Sequence, residues 1–342
     1  MPDIAALGER GRGDWQPPQL LQDPPVFAWP PQPLRFLKWL FGFPGYLWPW
    51  NTLYAAIALL TWLYLTPDIA TMKTFAPGWI AFIFARNVAL IVLFVSPWHL
   101  RLYVRRAQGL NFKYRGRWLT TDNPSFLFRN QLKDNVFWTL CSAVPIWTAY
   151  EVLTFWAQAN GLVPVVGWQT HPVYCVLLML FVPLIHDLHF EAIHRLIHWR
   201  PLYRAAHYLH HKNVNPGPWS GLSMHPIEHL LYFSGVLLHW IVPSHPLHVL
   251  QHLHVLAFSP TPGHLGFHKV VLNARVAIDT NNYRHYLHHK YFEVNYGGEG
   301  IVPIDIWTGT FHDGSEAAEA AMKARDMKRR RARTEAAATR GT

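Results

Sequence analysis

The sequence predicts an all-α fold: an integral-membrane helical bundle of about four transmembrane helices, with a cytosolic helical cap. Two observations give the bundle. Hydrophobic residues make up 51% of the 342-residue chain and charged residues only 15%, well below the quarter usual in soluble domains. Those apolar residues also gather into four long runs separated by less apolar loops. A third observation gives the cap. Nineteen of the 22 histidines fall between His186 and His289, beyond the apolar part of the fourth run.

In chain order, residues 1–33 are rich in Pro, Gly and Gln and show no hydrophobic period, so they are expected to form a disordered N-terminal arm. Phe36 to Pro49 is aromatic and broken by Gly and Pro, as in an interfacial or re-entrant segment. The four runs are Asn51–Leu65, Trp79–Val95, Phe137–Trp156 and Val173–Ile185. Arg86 lies inside the second run. A charge there costs about 2.5–3.5 kcal/mol on insertion scales, so it needs a partner, and Glu151 in the third run is the candidate. The fourth run continues without a breaker into Asp187, Glu191, His194 and His198, whose spacing puts them on one helical face. Residues 230–258 are apolar but carry Pro243, Pro246 and five histidines, which favours partly embedded, re-entrant helices over two further crossings. Residues 313–342 form a charged C-terminal tail, helical over 315–335.

The net charge of +10 invites a nucleic-acid reading, but the basic residues sit in the 101–133 loop and the C-terminal tail, and no nucleic-acid module flanks either. The loops on either side, 66–78 and 157–172, hold one Lys and no Arg between them. By the positive-inside rule the 101–133 loop is cytosolic, and four crossings then put both termini and the histidines on that side. Cys141 and Cys175 lie in apolar runs and form neither a metal-ligand spacing nor a disulfide framework.

The histidines recur in four boxes: His194-x-x-x-His198, His207-x-x-His210-His211, His264-x-x-x-His268 and His285-x-x-His288-His289. On a helix, positions i, i+3 and i+4 share a face, so ten imidazoles from four short segments can surround two metal ions. Imidazole suits iron, zinc, copper and nickel alike, and the residues do not choose among them. No HExxH-type arrangement supplies the general base of a zinc hydrolase. A metal transporter would carry its histidines and acids inside several spans, whereas these boxes follow the fourth.

This order of boxes resembles the fatty acid hydroxylase / sterol desaturase superfamily of integral-membrane di-iron oxygenases. Smaller motifs agree: Asp187 ahead of His194-Arg195, His225-Pro-Ile-Glu228, Asn295-Tyr-Gly after the last box, and Asp305…Gly309-Thr310, where Ile304 replaces the usual Trp. The resemblance covers residues 135–312 of a membrane-embedded domain spanning 34–312. It implies two iron ions held by His194, His198, His207, His210, His211, His264, His268, His285, His288 and His289, with O2 as co-substrate. Asp187, Glu191, His225, Glu228 and Asn295 are expected to support these ligands from outside, with Asp279 a further candidate. The implied reaction is hydroxylation of an unactivated C–H bond of a membrane lipid (fatty acyl, sterol, carotenoid or amino-lipid), or desaturation or methyl oxidation on the same scaffold. Electrons would come from a separate ferredoxin- or cytochrome b5-like protein. Residues 211–226 resemble prokaryotic members, which favours a bacterial inner membrane over endoplasmic reticulum.

Overall fold

A computed structural model describes residues 9–11, 14–18, 20, 21, 24–298 and 300–340. Of the arm assigned to 1–33, residues 1–8, 12, 13, 19, 22 and 23 lie outside the described residues. Its described part includes a short hairpin, β1 (Glu9–Gly11) with β2 (Asp14–Gln16), and Trp15 is buried against Phe112, Tyr114 and His268. This part of the arm is therefore packed onto the cap.

The amphipathic helix α1 (Pro33–Phe41) buries none of its residues and exposes Leu34, Leu37 and Phe41. The first apolar run forms α2 (Thr52–Tyr64), which has 13 residues. At 1.5 Å per residue it is about 20 Å long, short of the ~30 Å of a bilayer's hydrocarbon core. Pro67 and Asp68 end it: the Asp68 carboxylate accepts from the Ala70 amide and starts a 3-10 turn, Ile69–Lys73. That turn carries the chain on to a contact with Asn160, which donates to the Lys73 carbonyl (3.1 Å). Of the about four transmembrane helices expected, three among the described residues are long and apolar enough to cross a membrane, and α2 is the short one.

These three are Pro77–Val104 (28 residues), Gln131–Ala159 (29) and Pro172–Ile197 (26). The first consists of α3 (Pro77–His99) and a widened last turn. The second joins α4 (Gln131–Trp138) to α5 (Val144–Ala159) through a widened turn, and the third is α6 (Pro172–Ile197). Each of α3, α5 and α6 has proline in its first turn, where its missing N–H is not needed. Their outward faces expose Phe82, Leu93, Leu153, Leu177 and Phe181, a surface suited to lipid rather than water. Arg86 meets Glu151 across α3 and α5, as the sequence suggested. Asn87 donates to the other carboxylate oxygen at 3.0 Å, and Arg86 also reaches the Leu65 carbonyl at 3.1 Å.

Residues 226–258 contain no helix long enough to span. A short helix, α9 (Pro226–Phe233), leads through a 3-10 segment to α10 (Pro246–Phe258), all thirteen of whose residues are buried among α2, α5 and α6. Both helices begin with a His-Pro pair. The His225 and His245 rings accept from the amides of Ile227 and Leu247, at 3.2 and 3.1 Å, and so serve as N-caps.

The cap follows α6. It comprises α7 (Arg200–Leu202), a widened turn Tyr203–His207, α8 (Tyr208–His211), α11 (Pro260–Gly263), the hairpin β3 (Lys269–Asn273) with β4 (Val276–Asp279), α12 (Tyr283–Tyr291) and α13 (Ile304–Trp307). The tail forms α14 (Glu316–Arg340). The basic 101–133 loop lies on this same end: the Tyr114 amide donates to the Gly266 carbonyl and the His268 amide to the Phe112 carbonyl.

Candidate metal centre

Four segments bring nine histidines together in two adjoining groups. His194, His198, His207, His211 and His288 form one, and His210, His264, His285 and His289 the other; within each group the potential ligand atoms lie within 4.8 Å of one another. The His-x-x-His-His boxes divide between them. In α8 and the turn before it, His207 and His211 join the first group and His210 the second; in α12, His285 and His289 join the second and His288 the first. Positions i and i+4 lie to one side of a helix and i+3 to the other side of the same face, so each box reaches both groups.

Hydrogen bonds fix the outer nitrogens of several rings. His207 Nδ1 donates to Glu228 (2.7 Å), His194 Nδ1 to the Tyr296 carbonyl (2.7 Å), His288 Nδ1 to the Val294 carbonyl (2.7 Å) and His264 Nδ1 to the Pro260 carbonyl (2.8 Å). A neutral imidazole whose proton is on Nδ1 has a lone pair on Nε2. The Nε2 atoms of His211 and His288 are 3.0 Å apart and those of His264 and His289 3.1 Å, and those of His194 and His207, where both rings are held through Nδ1, are 3.1 Å apart. Converging lone pairs repel unless a cation lies among them. Separations near 3 Å are those of ligands at right angles around one ion at about 2.1 Å, a usual metal–imidazole distance. This donor set therefore fits transition-metal ions. Burial, reinforced by neighbouring imidazoles, lowers the pKa of His207, His211 and His289 well below the ordinary histidine value. Burial lowers His264 to about 4 and His288 to about 3. The rings stay neutral at physiological pH, as metal ligands must.

The tenth expected ligand, His268, is elsewhere. Its ring packs on Trp15 (centroids 4.9 Å apart), its Nδ1 is 3.2 Å from the Tyr114 hydroxyl and its Nε2 3.7 Å from Asp279. The expectation assumed a helix through 264–268. Instead α11 ends at Gly263, Gly266 takes a φ of +73°, and the chain enters β3 at Lys269. His264 and His268 therefore share no face.

Of the residues expected to support the ligands, Glu228 alone touches a ligand ring. Burial raises its carboxyl pKa well above the ordinary value. His225 caps α9 instead. Asp187 accepts from the Val302 amide (2.9 Å) and Glu191 from Arg195 (2.7 Å). Asn295 holds the segment after α12 by accepting from the His312 amide (2.8 Å). Asp279 lies beside His268. Several of these residues act at one remove. Asp305 accepts from the amides of Tyr296 (3.0 Å) and Gly297 (2.9 Å) and pairs with Arg195 (2.9 Å), fixing the turn whose Tyr296 carbonyl orients His194. A Cβ at Gly297 would lie 2.9 Å from Glu191 Oε2, so a side chain there would have to displace that carboxylate. Sequence reasoning missed the orienting carbonyls of Tyr296, Val294 and Pro260. Its nearest signals were the Asn295-Tyr-Gly motif, which contains Tyr296, and the Asp305…Gly309-Thr310 motif.

A narrow cleft of about 70 Å³ opens beside both groups. His194, His207, His210, His264 and His285 line it together with Trp50, His186, Phe190, Met224 and Tyr232.

Residues 177–310 match the model of the fatty acid hydroxylase family. The chain is 27% identical over 194 residues to a Delta(7)-sterol 5(6)-desaturase of Gibberella zeae, a match covering 51% of this chain and 54% of the relative. It is 30% identical over 207 residues to one of Aspergillus fumigatus (51% and 61%) and 25% identical over 175 residues to a Delta(7)-sterol-C5(6)-desaturase of Nicotiana tabacum (50% and 61%). The chain spans about half the length of the curated relatives it matches. No solved structure matches it. Residues 177–310 thus match a fatty acid hydroxylase domain, and this match, the histidine boxes and the sterol desaturase relatives support the fatty acid hydroxylase / sterol desaturase superfamily.

Proposed function

We propose that this protein is an oxidoreductase that uses two iron ions and O2 to hydroxylate an unactivated C–H bond of a membrane lipid. The observation that carries this reading is the pair of converging all-imidazole groups at the wall of a largely apolar cleft. His194, His198, His207, His211 and His288 would hold one iron, and His210, His264, His285 and His289 the other. When bound, the irons supply the O2-reducing and C–H-oxidising chemistry.

The chain's own part is orientation and exclusion. Glu228 and the carbonyls of Tyr296, Val294 and Pro260 keep the protons of their rings on Nδ1 and aim the Nε2 lone pairs inward. Trp50, Phe190, Met224 and Tyr232 offer apolar surface that holds a lipid and keeps water from the reacting bond. The site, both termini and the basic loop lie on the cytosolic side in this reading. Arg105, Arg106, Arg117 and Arg129 are exposed there as a dock for an acidic, separate electron donor. The named relatives are fungal and plant proteins. They favour the endoplasmic reticulum and lend no support to the bacterial inner membrane expected from the sequence.

A desaturase outcome on the same scaffold is the second reading, favoured by the desaturase names of the relatives. The two differ in whether the oxidised carbon gains a hydroxyl or a neighbouring carbon loses a second hydrogen. Metal analysis of anaerobically purified protein, with Mössbauer spectroscopy after iron-57 growth, tests the shared part. Two coupled irons per chain and O2-dependent change in cellular lipids support it; two zincs, with no turnover after iron reconstitution, overturn it. The lipid product, alcohol or alkene, then separates the two readings.

A further inference from the structure

Of the nine histidines in the two groups, His198 alone is only half-buried. It ends α6, and the chain turns there into α7 and α8. The Tyr203 ring lies against it with 5.6 Å between centroids, and meets His211 at 5.7 Å. This corner is therefore where the ligand set reaches the surface.

The surface around His198 is basic and aromatic. Residues 192–227 hold Arg195, Arg200, Arg204 and Lys212 and no Asp or Glu. Arg195 pairs with Glu191 and Asp305, and Lys212 with Asp134. Arg200 and Arg204 are exposed and form no ion pair among the described residues. Their spacing of four, continued by Tyr208, puts all three on one face. Tyr208 is 56% exposed and the neighbouring Trp199 63%. Trp, Tyr and Arg are the side chains that most often anchor protein interfaces. The membrane-length helix ends at Ile197, so this face begins just outside the bilayer. It also adjoins the basic 101–133 loop: Lys212 donates to the Ser125 carbonyl (3.4 Å) and lies over the Phe126 ring (5.0 Å).

We propose that an acidic one-electron donor docks on this corner, its haem or iron–sulfur centre facing His198 and its carboxylates meeting Arg200 and Arg204. This rests on the di-iron reading above and names the point of the basic surface at which electrons enter. Each encounter takes one electron from the donor's reduced centre and reduces one ferric ion of the five-histidine group to ferrous. No proton or ligand is exchanged. Electron transfer falls exponentially with distance, which favours a half-buried ligand over a buried one. The other approach from the basic loop is indirect. Arg106 covers Trp118 (4.2 Å), Trp118 meets Tyr103 (5.9 Å), and the buried Tyr103 hydroxyl donates to the Leu265 carbonyl (2.8 Å), next to His264.

The test uses full-length, iron-loaded protein in phosphatidylcholine nanodiscs with two soluble acidic probes, the haem domain of a cytochrome b5 and a plant-type ferredoxin. Affinity is read by biolayer interferometry, and oxidation of the reduced probe by anaerobic stopped-flow absorption. Dithionite, a small reductant that needs no dock, is the control. At least one probe should bind the wild type. Removing two steering charges slows association about tenfold or more at low salt. Arg200→Gln/Arg204→Gln should therefore weaken binding and slow probe oxidation by that factor. The difference should close at about 1 M salt, where charges are screened within about 3 Å. Iron content and reduction by dithionite should not change, and Trp118→Leu should behave as wild type. Binding of neither probe, wild-type affinity in the double variant, or an equal loss in Trp118→Leu overturns the proposal. Arginines that serve lipid headgroups instead would give the second of these results. Missing iron with arginine-dependent probe binding would count against the di-iron reading and leave the docking surface standing; two irons with arginine-independent binding would do the reverse.

Discussion

Glu228→Ala gives the sharpest test of how the protein holds its metals. Glu228 accepts from His207 Nδ1 at 2.7 Å, and both side chains are buried. Truncation leaves a buried N–H without a partner, at about 1–3 kcal/mol, and frees the ring to rotate. Losing such an outer partner typically weakens metal binding or activity about 10- to 100-fold, which is about 1.4–2.7 kcal/mol. His207 belongs to the five-histidine group alone. The loss should therefore fall on one ion: at limiting iron, stoichiometry drops from about two per chain toward one. Glu228→Gln keeps an acceptor oxygen and should lose less than tenfold. The assay is anaerobic ferrous titration with iron-57 Mössbauer detection. Wild-type affinity in Glu228→Ala, or equal weakening of both ions, would refute the reasoning.

Three further outcomes follow from the same geometry. His264→Ala should release one iron and abolish turnover, whereas His268→Ala should keep wild-type iron content, because His268 packs against Trp15 and Tyr114; metal analysis of the purified variants decides, and loss of iron in His268→Ala would return it to the site. Arg86→Met strands the buried Glu151 and should destabilise the protein by about 3–5 kcal/mol, with most of that recovered in Arg86→Met/Glu151→Leu; thermal unfolding in detergent shows whether the double variant rescues the single. Burial holds His229 at a pKa of about 3 in the folded state, against 6.5 as its ordinary value. Its stabilising contribution is thus present above pH 6.5. On acidification the unfolded state takes up the proton first, so stability falls by about 1.4 kcal/mol per pH unit between pH 6.5 and 3. His229→Asn should flatten the stability–pH profile by that amount, and an unchanged slope would contradict the burial argument.

Much of the architecture is local and so is carried by the sequence. Apolar runs with proline at their starts become α3, α5 and α6 because length and composition suffice to make a membrane helix. Arg86 announced a partner because an isolated charge in an apolar helix is costly, and Glu151 was the acid available. The spacing of His207, His210 and His211, repeated at His285, His288 and His289, places ligands on one helical face wherever the helix ends up.

Tertiary structure decided the rest. The division of nine histidines into groups of five and four depends on how four segments meet, which no single helical period encodes. Gly266 turned the chain out of the helix that His268 needed. The shortness of α2 follows from Pro67 and the Asp68 cap together with the Lys73–Asn160 contact, of which only the first two are local. The partners that orient His194, His264 and His288 are backbone carbonyls, which every residue carries and no letter distinguishes. The sequence by itself determined which chemistry the chain can hold, because ligand type and helical spacing are properties of neighbours. Only the folded chain decided which histidine serves which ion, because that depends on distances between segments far apart along it.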